Sequence, residues 1–576
     1  MTSLRVWAPR AAKLEVVIGS ARISMQPDAD GWYGVSDPRL VAGTDYWLSV
    51  DGGPNTPDPR SRLQPSGPHG PSRVVDPASF SWNDSEFSPP ELGAGAVYEL
   101  HLGTFTPEGT CDGALARLDH LEKLGVSHVS LMPVADFPGR RGWGYDGVGL
   151  WAVHHAYGGP IGLMRFVDAC HGRGIGVLLD VVYNHLGPDG NYLGRFGPYF
   201  TDQYRTPWGA AVNFDGPGSD EVRRFFCDNA CAWLTDYHID GLRLDAVHAM
   251  HDESALHFLE ELKGRALEVE RALGRRKLLV AESDLNDPRI LRDSAQGGYG
   301  IDAQWSDDLH HALHAWLSGE SSGYYSDFGS AEQVGETLRH AFLYRGQKSE
   351  FRGRRHGREP TGLGANRFLA YSQTHDQIGN RAKGERLVAL AGTERAKIAA
   401  ALVLTAPFVP MLFQGEEWGA STPFLYFTDH TDAELARAVS TGRKREFAAF
   451  GWPESEVPDP QDPQTFQRSR LLWDELAREP HRSLLEWHLR LLELRRARPD
   501  LRNPDLESVR VTVGECLQIE RENTTVVATI SPSGACARVR GSAVLLASHP
   551  EVRLSNGVLS LPPDSVAVLD GGTACR

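Results

Sequence analysis

Three acidic residues stand where short apolar runs stop: Asp245 at the end of GLRLDAV, Glu282 at the end of LLVAES and Asp376 at the end of FLAYSQTHD. Carboxyl groups gathered in this way around one mouth can serve as nucleophile, proton donor and stabiliser of developing charge. Arg243 lies two residues before Asp245, so on a strand both side chains leave the same face, and the guanidinium favours the ionised carboxylate. Glu282 follows Leu, Val and Ala, where partial desolvation makes a carboxyl hold its proton. One ionised and one protonated carboxyl is the division of labour that glycosidic bond cleavage needs. The run DVVYNH adds Asp180, Asn184 and His185, and His375 precedes Asp376. A lone acidic residue at a strand end is more often a helix cap or a solvated charge; the ordered set on separate runs is what points to chemistry.

Such a set needs strands that end together. Eight nearly continuous apolar runs alternate with amphipathic stretches: AVYELHLGTF, VSHVSLMPV, GIGVLLDVVYN, HIDGLRLDAV, KLLVAES, GIDAQWS, NRFLAYSQTH and PFVPMLFQGEE. Runs of this kind fit parallel strands buried on both faces, and the pattern predicts an α/β fold, a (β/α)8 TIM barrel over residues 93–495 with an insertion at about 186–220 after the third strand. Residues 1–92 show short alternating runs and a Pro/Gly-rich passage, as in a small immunoglobulin-like β-sandwich followed by a linker. Short runs over 496–576 predict a C-terminal antiparallel β domain.

The chain has 576 residues, with 59 Lys and Arg against 75 Asp and Glu, a formal charge of −16. A broad basic footprint for nucleic acid or an anionic membrane is therefore missing. The longest apolar stretch, 398–413, is interrupted by Pro407 and Pro410 and reads as a buried helix entering a strand rather than a membrane span. MTSLRVWAPR has no signal-peptide pattern, and the seven scattered cysteines lack ligand or CxxC spacing, so a cytoplasmic protein with reduced thiols is expected.

DVVYNH, GLRLDAVHA, VAESD and SQTHDQIGN resemble, in order, the four conserved regions of the α-amylase superfamily, glycoside hydrolase family 13. That resemblance implies Asp245 as nucleophile, Glu282 as acid/base and Asp376 as transition-state stabiliser. It also implies that His185, Arg243 and His375 line the subsite of the attacked sugar, with Gln377 beside them; Asp308 is either a sugar contact or a helix-start charge, His248 either a sugar contact on the leaving side or a helix-start residue, and Trp143, Tyr145 and Trp208 either stack on or wall the sugars or simply pack. No cofactor is implied. Asn184 matches a calcium ligand of many α-amylases, but no further set of oxygen ligands is evident, and no metal is expected. WGYDGVGLWAVHHAYGGP resembles a subgroup of branching enzymes, isoamylase-type debranching enzymes and malto-oligosyltrehalose trehalohydrolases. IDAQWSDDLHHALH, LYRGQKSEFRGRRHG and YFTDHTDAELARAV resemble the last of these, which implies maltooligosyltrehalose and α-1,4-glucan substrates and a functional pairing with a maltooligosyltrehalose synthase. The alternatives are a glycogen branching or isoamylase-type debranching enzyme, or a glucan-binding protein with a silent barrel. The basic run Arg352, Arg354, Arg355, His356 and Arg358 is either a solvated loop or a lid.

Overall fold

A computed structural model describes residues 3–206, 209–448 and 452–571. Eight parallel strands close into a barrel: β1 (Ala96–Leu100), β2 (Val126–Leu131), β3 (Gly176–Val181), β4 (Gly241–Leu244), β5 (Leu278–Ala281), β6 (Ala303–Trp305), β7 (Phe368–Ala370) and β8 (Val409–Phe413). Each pairs with its sequence neighbour, and β8 closes on β1. Every residue of all eight strands is buried, which is why the sequence shows continuous apolar runs instead of alternation. The stretch 398–413 is the end of helix Leu387–Leu404 followed by β8, both buried.

Three features depart from a plain eightfold repeat. A two-stranded hairpin (Ala135–Asp136 with Gly149–Val153) interrupts the β2 connection before helix Gly159–His171. Between β5 and β6 the chain forms only 3-10 turns, Pro288–Ile290 and Ser294–Gln296, where a repeating unit predicts a helix. The insertion after β3 carries a second hairpin, Phe200–Thr206 with Gly209–Val212, ahead of helix Ser219–Asp236.

Antiparallel sheets flank the barrel at both termini. Residues 3–73 form a three-stranded and a four-stranded sheet, and residues 510–570 a five-stranded and a three-stranded one. One contiguous core runs from Val6 and Leu48 through the barrel to Val566 and Val568, so the flanking sheets are packed on the barrel. Among the described residues no helix is long and apolar enough to cross a membrane.

Candidate active site

Strand register builds the site. Asp180 on β3 pairs with Arg243 on β4, and Leu244 pairs with Ala281 on β5, so the next residues, Asp245 and Glu282, emerge side by side. Backbone bonds continue the ladder past the strand ends: Asp245 N–H donates to Val181 O (3.1 Å), and Glu282 N–H to Leu244 O (3.0 Å). Ala246 then adopts a left-handed conformation, φ 37°, which is costly for a residue with a Cβ and is found where a site demands it. This turn points the Ala246 N–H at Glu282 Oε2, 2.8 Å away.

Arg243 is the hub. Its Nη1 donates to Asp180 (2.9 and 2.8 Å) and to Asp245 Oδ1 (2.8 Å), while Nη2 lies 2.8 Å from Glu282 Oε2. The guanidinium lies 4.5 Å from the centre of the Trp305 ring and is buried. Three carboxyl groups share one cation, and they respond differently. Burial raises the Asp245 pKa, but Arg243, His185 and the Asn184 hydrogen bond (2.7 Å to Oδ2) outweigh it and hold the carboxyl below its usual value. Burial lifts Glu282 well above the ordinary range despite Arg243, and the charges of Asp245, Asp376 and Asp307 push the same way. Asp180 is raised to about 6, by burial first.

A second chain of contacts joins β1, the β2 hairpin region and β7. Tyr145 OH donates to Asp180 Oδ2 (2.6 Å) and meets His375 Nε2 at 2.8 Å. The Nδ1 of His375 lies 2.7 Å from Glu99 Oε1, and its backbone N–H donates to Glu99 Oε2 (3.0 Å). Burial opposes a charge on His375, but Glu99 and Asp376 raise its pKa. Thr374 caps the short helix His375–Gly379, which sets Asp376 in its first turn, partly exposed, with Asn380 Nδ2 donating to Oδ1 (2.7 Å). Gly379 is required here: a Cβ would come within 2.0 Å of the Trp143 ring.

His185 is buried, with Nε2 3.0 Å from Tyr145 O and Nδ1 against Asn184 Oδ1, and burial lowers its pKa. Gln377 accepts from Thr374 Oγ1 (2.6 Å), and His248 is exposed on the 3-10 turn Val247–Ala249 that follows Asp245. Trp208 lies outside the described residues.

Asp308, expected to contact sugar, has one carboxyl oxygen engaged by protein groups. It is 3% exposed, and its Oδ2 accepts from Asn286 Nδ2 (2.7 Å), Leu343 N–H (2.7 Å) and Tyr344 N–H (3.1 Å). Its carboxylate ties the 343–344 loop to the exit of β5. Asp307, one residue earlier, is the acid that senses the site: it accepts from Tyr371 OH, its charge acts on Glu282, and burial, with Asp284 and Asp376, raises it to about 7. Trp143 packs and does not form an open platform, with Nε1 donating to Leu425 O (2.9 Å) and the ring stacked 5.2 Å from Phe424. The basic run forms a hairpin against β5: Arg352 Nη2 lies 3.1 Å from Asp284 Oδ2, and His356 Nε2 2.7 Å from Asp284 O.

The partner missed from sequence is chiefly Glu99, while Asp307 is the weaker sequence candidate beside Asp308. Glu99 sits near the end of β1, in the same kind of place as Asp245, and that position was the available signal.

Among the described residues one cluster has metal-type donors, Asp136, His154 and His155. The Ala156 N–H donates to His154 Nδ1 (3.1 Å), which leaves that ring's proton on Nε2, the atom facing Asp136. The trio therefore does not read as a preformed metal centre.

The family model for the alpha-amylase catalytic domain matches residues 74–205. A malto-oligosyltrehalose trehalohydrolase of Arthrobacter ramosus is 52% identical over 503 residues, 86% of this chain and 87% of that protein. Another of Rhizobium sp. (strain M-11) is 46% identical over 98% of this chain and 97% of its own length. The chain belongs to the malto-oligosyltrehalose trehalohydrolase family. A crystal structure from Salmonella typhimurium, assigned as an alpha amylase, superposes on it with a TM-score of 0.91 and 38% identity, covering 98% of this chain and 97% of that one. The trehalohydrolase relatives are matched across the terminal sheets as well as the barrel, so the resemblance is not confined to the catalytic motifs.

Proposed function

We propose that the protein is a retaining glycoside hydrolase that cuts the α-1,4-glucosidic bond next to the trehalose end of maltooligosyltrehalose, releasing trehalose and a maltooligosaccharide. The observation that carries the chemistry is the opposite titration of Asp245 and Glu282 around one guanidinium. Bridging by a single planar group favours the short separation of about 5–5.5 Å used by retaining enzymes over the wider one of inverting enzymes. Asp245, ionised, attacks the anomeric carbon and forms a glycosyl-enzyme. Glu282, protonated, gives its proton to the departing trehalose oxygen, then takes one from the water that hydrolyses the ester. Asp376 stabilises the positive charge that develops on the sugar, and His185, Arg243 and His375 hold the ring that is attacked. No step calls for a cofactor.

The substrate is assigned by family: the relatives bear one activity name across nearly the whole chain, which favours trehalose release over branching or debranching. Such a substrate must come from a reaction that turns the reducing end of an α-1,4-glucan into a trehalose unit, so a maltooligosyltrehalose synthase is the paired enzyme. A cytoplasmic setting agrees with the six free cysteines among the described residues.

Digestion of maltotriosyltrehalose, maltopentaose and amylopectin side by side tests this reading. Fast trehalose release from the first, with the others scarcely touched, is expected. Gain or loss of branch points in amylopectin without trehalose release would overturn the substrate assignment.

A further inference from the structure

A cavity of about 290 Å³ lies between the N-terminal sheets and the barrel, far along the chain from the catalytic carboxyl groups. Four arginines, Arg5, Arg60, Arg62 and Arg73, and one acid, Asp58, are among the residues that line it. That concentration is unusual in a chain of charge −16. The acids that pair these arginines are Asp28, Asp228, Asp236 and Asp45, and none of the four lines the cavity. Arg5, Arg60 and Arg62 each use a single nitrogen on their carboxylate and Arg73 uses two, with Tyr237 meeting Arg62 as well, so a five-donor guanidinium keeps N–H groups beyond its carboxylate partner. Asp58 is itself engaged, accepting from Tyr46 OH (2.8 Å) and from Arg60 N–H (2.8 Å).

We infer that this cleft binds a phosphate group, carried on a monosaccharide or free. Guanidinium forks match phosphate oxygens in charge and geometry. A neutral glucan is the poorer fit, because the nearby rings of Trp32 and Trp151 are already faced by Arg60, 5.3 and 4.8 Å from their centres, and are buried. The volume is near the lower limit for ligand pockets, which suits a hexose phosphate. The cleft also touches the catalytic region through one segment: Trp151 stands six residues after Tyr145, which bonds Asp180 and His375.

The experiment is calorimetric titration of the full chain, at fixed ionic strength, with glucose 6-phosphate, inorganic phosphate and glucose, repeated on the double variant R5Q/R73Q. Both of these arginines pair with exposed carboxylates, so their loss leaves the fold in place; an unchanged thermal midpoint and unchanged trehalose release check this. Saturable one-to-one binding of glucose 6-phosphate is expected, weakened by about tenfold or more in the double variant, with none for glucose. Equal affinity for inorganic phosphate assigns the site to the phosphate group alone; weaker affinity assigns it to the ester. As a second readout, glucose 6-phosphate should raise the wild-type thermal midpoint above that in sodium chloride of equal ionic strength. No saturable binding at millimolar concentration, equal binding by the double variant, or glucose binding as well as its phosphate would each overturn the inference.

Discussion

The two ends of the barrel carry buried charge clusters of inverse composition. At the mouth one cation, Arg243, faces Asp180, Asp245 and Glu282. At the base Asp84, from the segment that leads into the barrel, receives His171 Nδ1 (2.8 Å), His238 Nδ1 (2.8 Å) and Arg275 Nη1 (2.9 Å). Those three residues precede β3, β4 and β5, and rings stack over two of them, Phe87 on His171 and Trp82 on His238. His171 also reaches Asp240 Oδ2 (2.9 Å), which accepts the Val177 N–H that starts the β3 ladder. Burial raises the Asp84 pKa, yet the hydrogen bonds from His238, Arg275 and His171 drive it far below its usual value. A carboxylate with a surplus of donors is settled and holds the chain in place. Carboxyl groups that compete for too few donors are driven apart in proton affinity, and that difference can be used for chemistry.

Removing each hub separates the two roles. Arg243→Met should have the largest effect, destabilising the fold by about 3–5 kcal/mol, since buried carboxylates lose their shared partner. Turnover should fall by at least about a hundredfold, because Asp245 then keeps its proton to higher pH. Wild-type kcat/KM should fall as pH drops through the depressed Asp245 value and as it rises through the elevated Glu282 value. In the variant the acid limb should move upward, as a pH–rate profile would record.

Asp84→Asn should cost about 2 kcal/mol in denaturant unfolding and leave kcat near wild type. The sign follows from its depressed folded-state pKa: the stabilisation is complete above the unfolded value near 4 and fades as pH falls through the lower folded one, so wild type and variant should converge in acid. A comparable loss of kcat would mean that the base is not merely structural.

The smallest effect is expected at Asp308. Its replacement by Ala should free the 343–344 loop, costing about 1 kcal/mol in stability and raising KM more than it lowers kcat. A lower kcat with KM unchanged would place Asp308 among the groups that touch the reacting sugar.

The barrel is legible in the sequence because burial on both faces leaves apolar runs, and a polar residue closing such a run is conspicuous. That logic reaches Asp245, Glu282 and Asp376, and register turns it into geometry. It does not pair Glu99 with His375, which is 276 residues away and joined to it only by barrel closure. Nor does it tell Asp307 from Asp308, adjacent at a helix start, where a turn of about 100° per residue decides which acid faces the site. The missing helix after β5 leaves a polar connection that spacing alone does not distinguish from a frayed helical pattern.

In this mechanism the Asp245 carboxylate does the attacking while Glu282 supplies a proton. A substrate whose leaving group needs no proton, an α-maltosyl fluoride, tests it most directly when fluoride release is compared with trehalose release from maltotriosyltrehalose in Asp245→Asn and Glu282→Gln. Glu282→Gln should lose trehalose release by about 10²–10⁴-fold yet still discharge fluoride in a first turnover, whereas Asp245→Asn should lose both. Equal loss of both reactions in Glu282→Gln, or fluoride release surviving in Asp245→Asn, would contradict it.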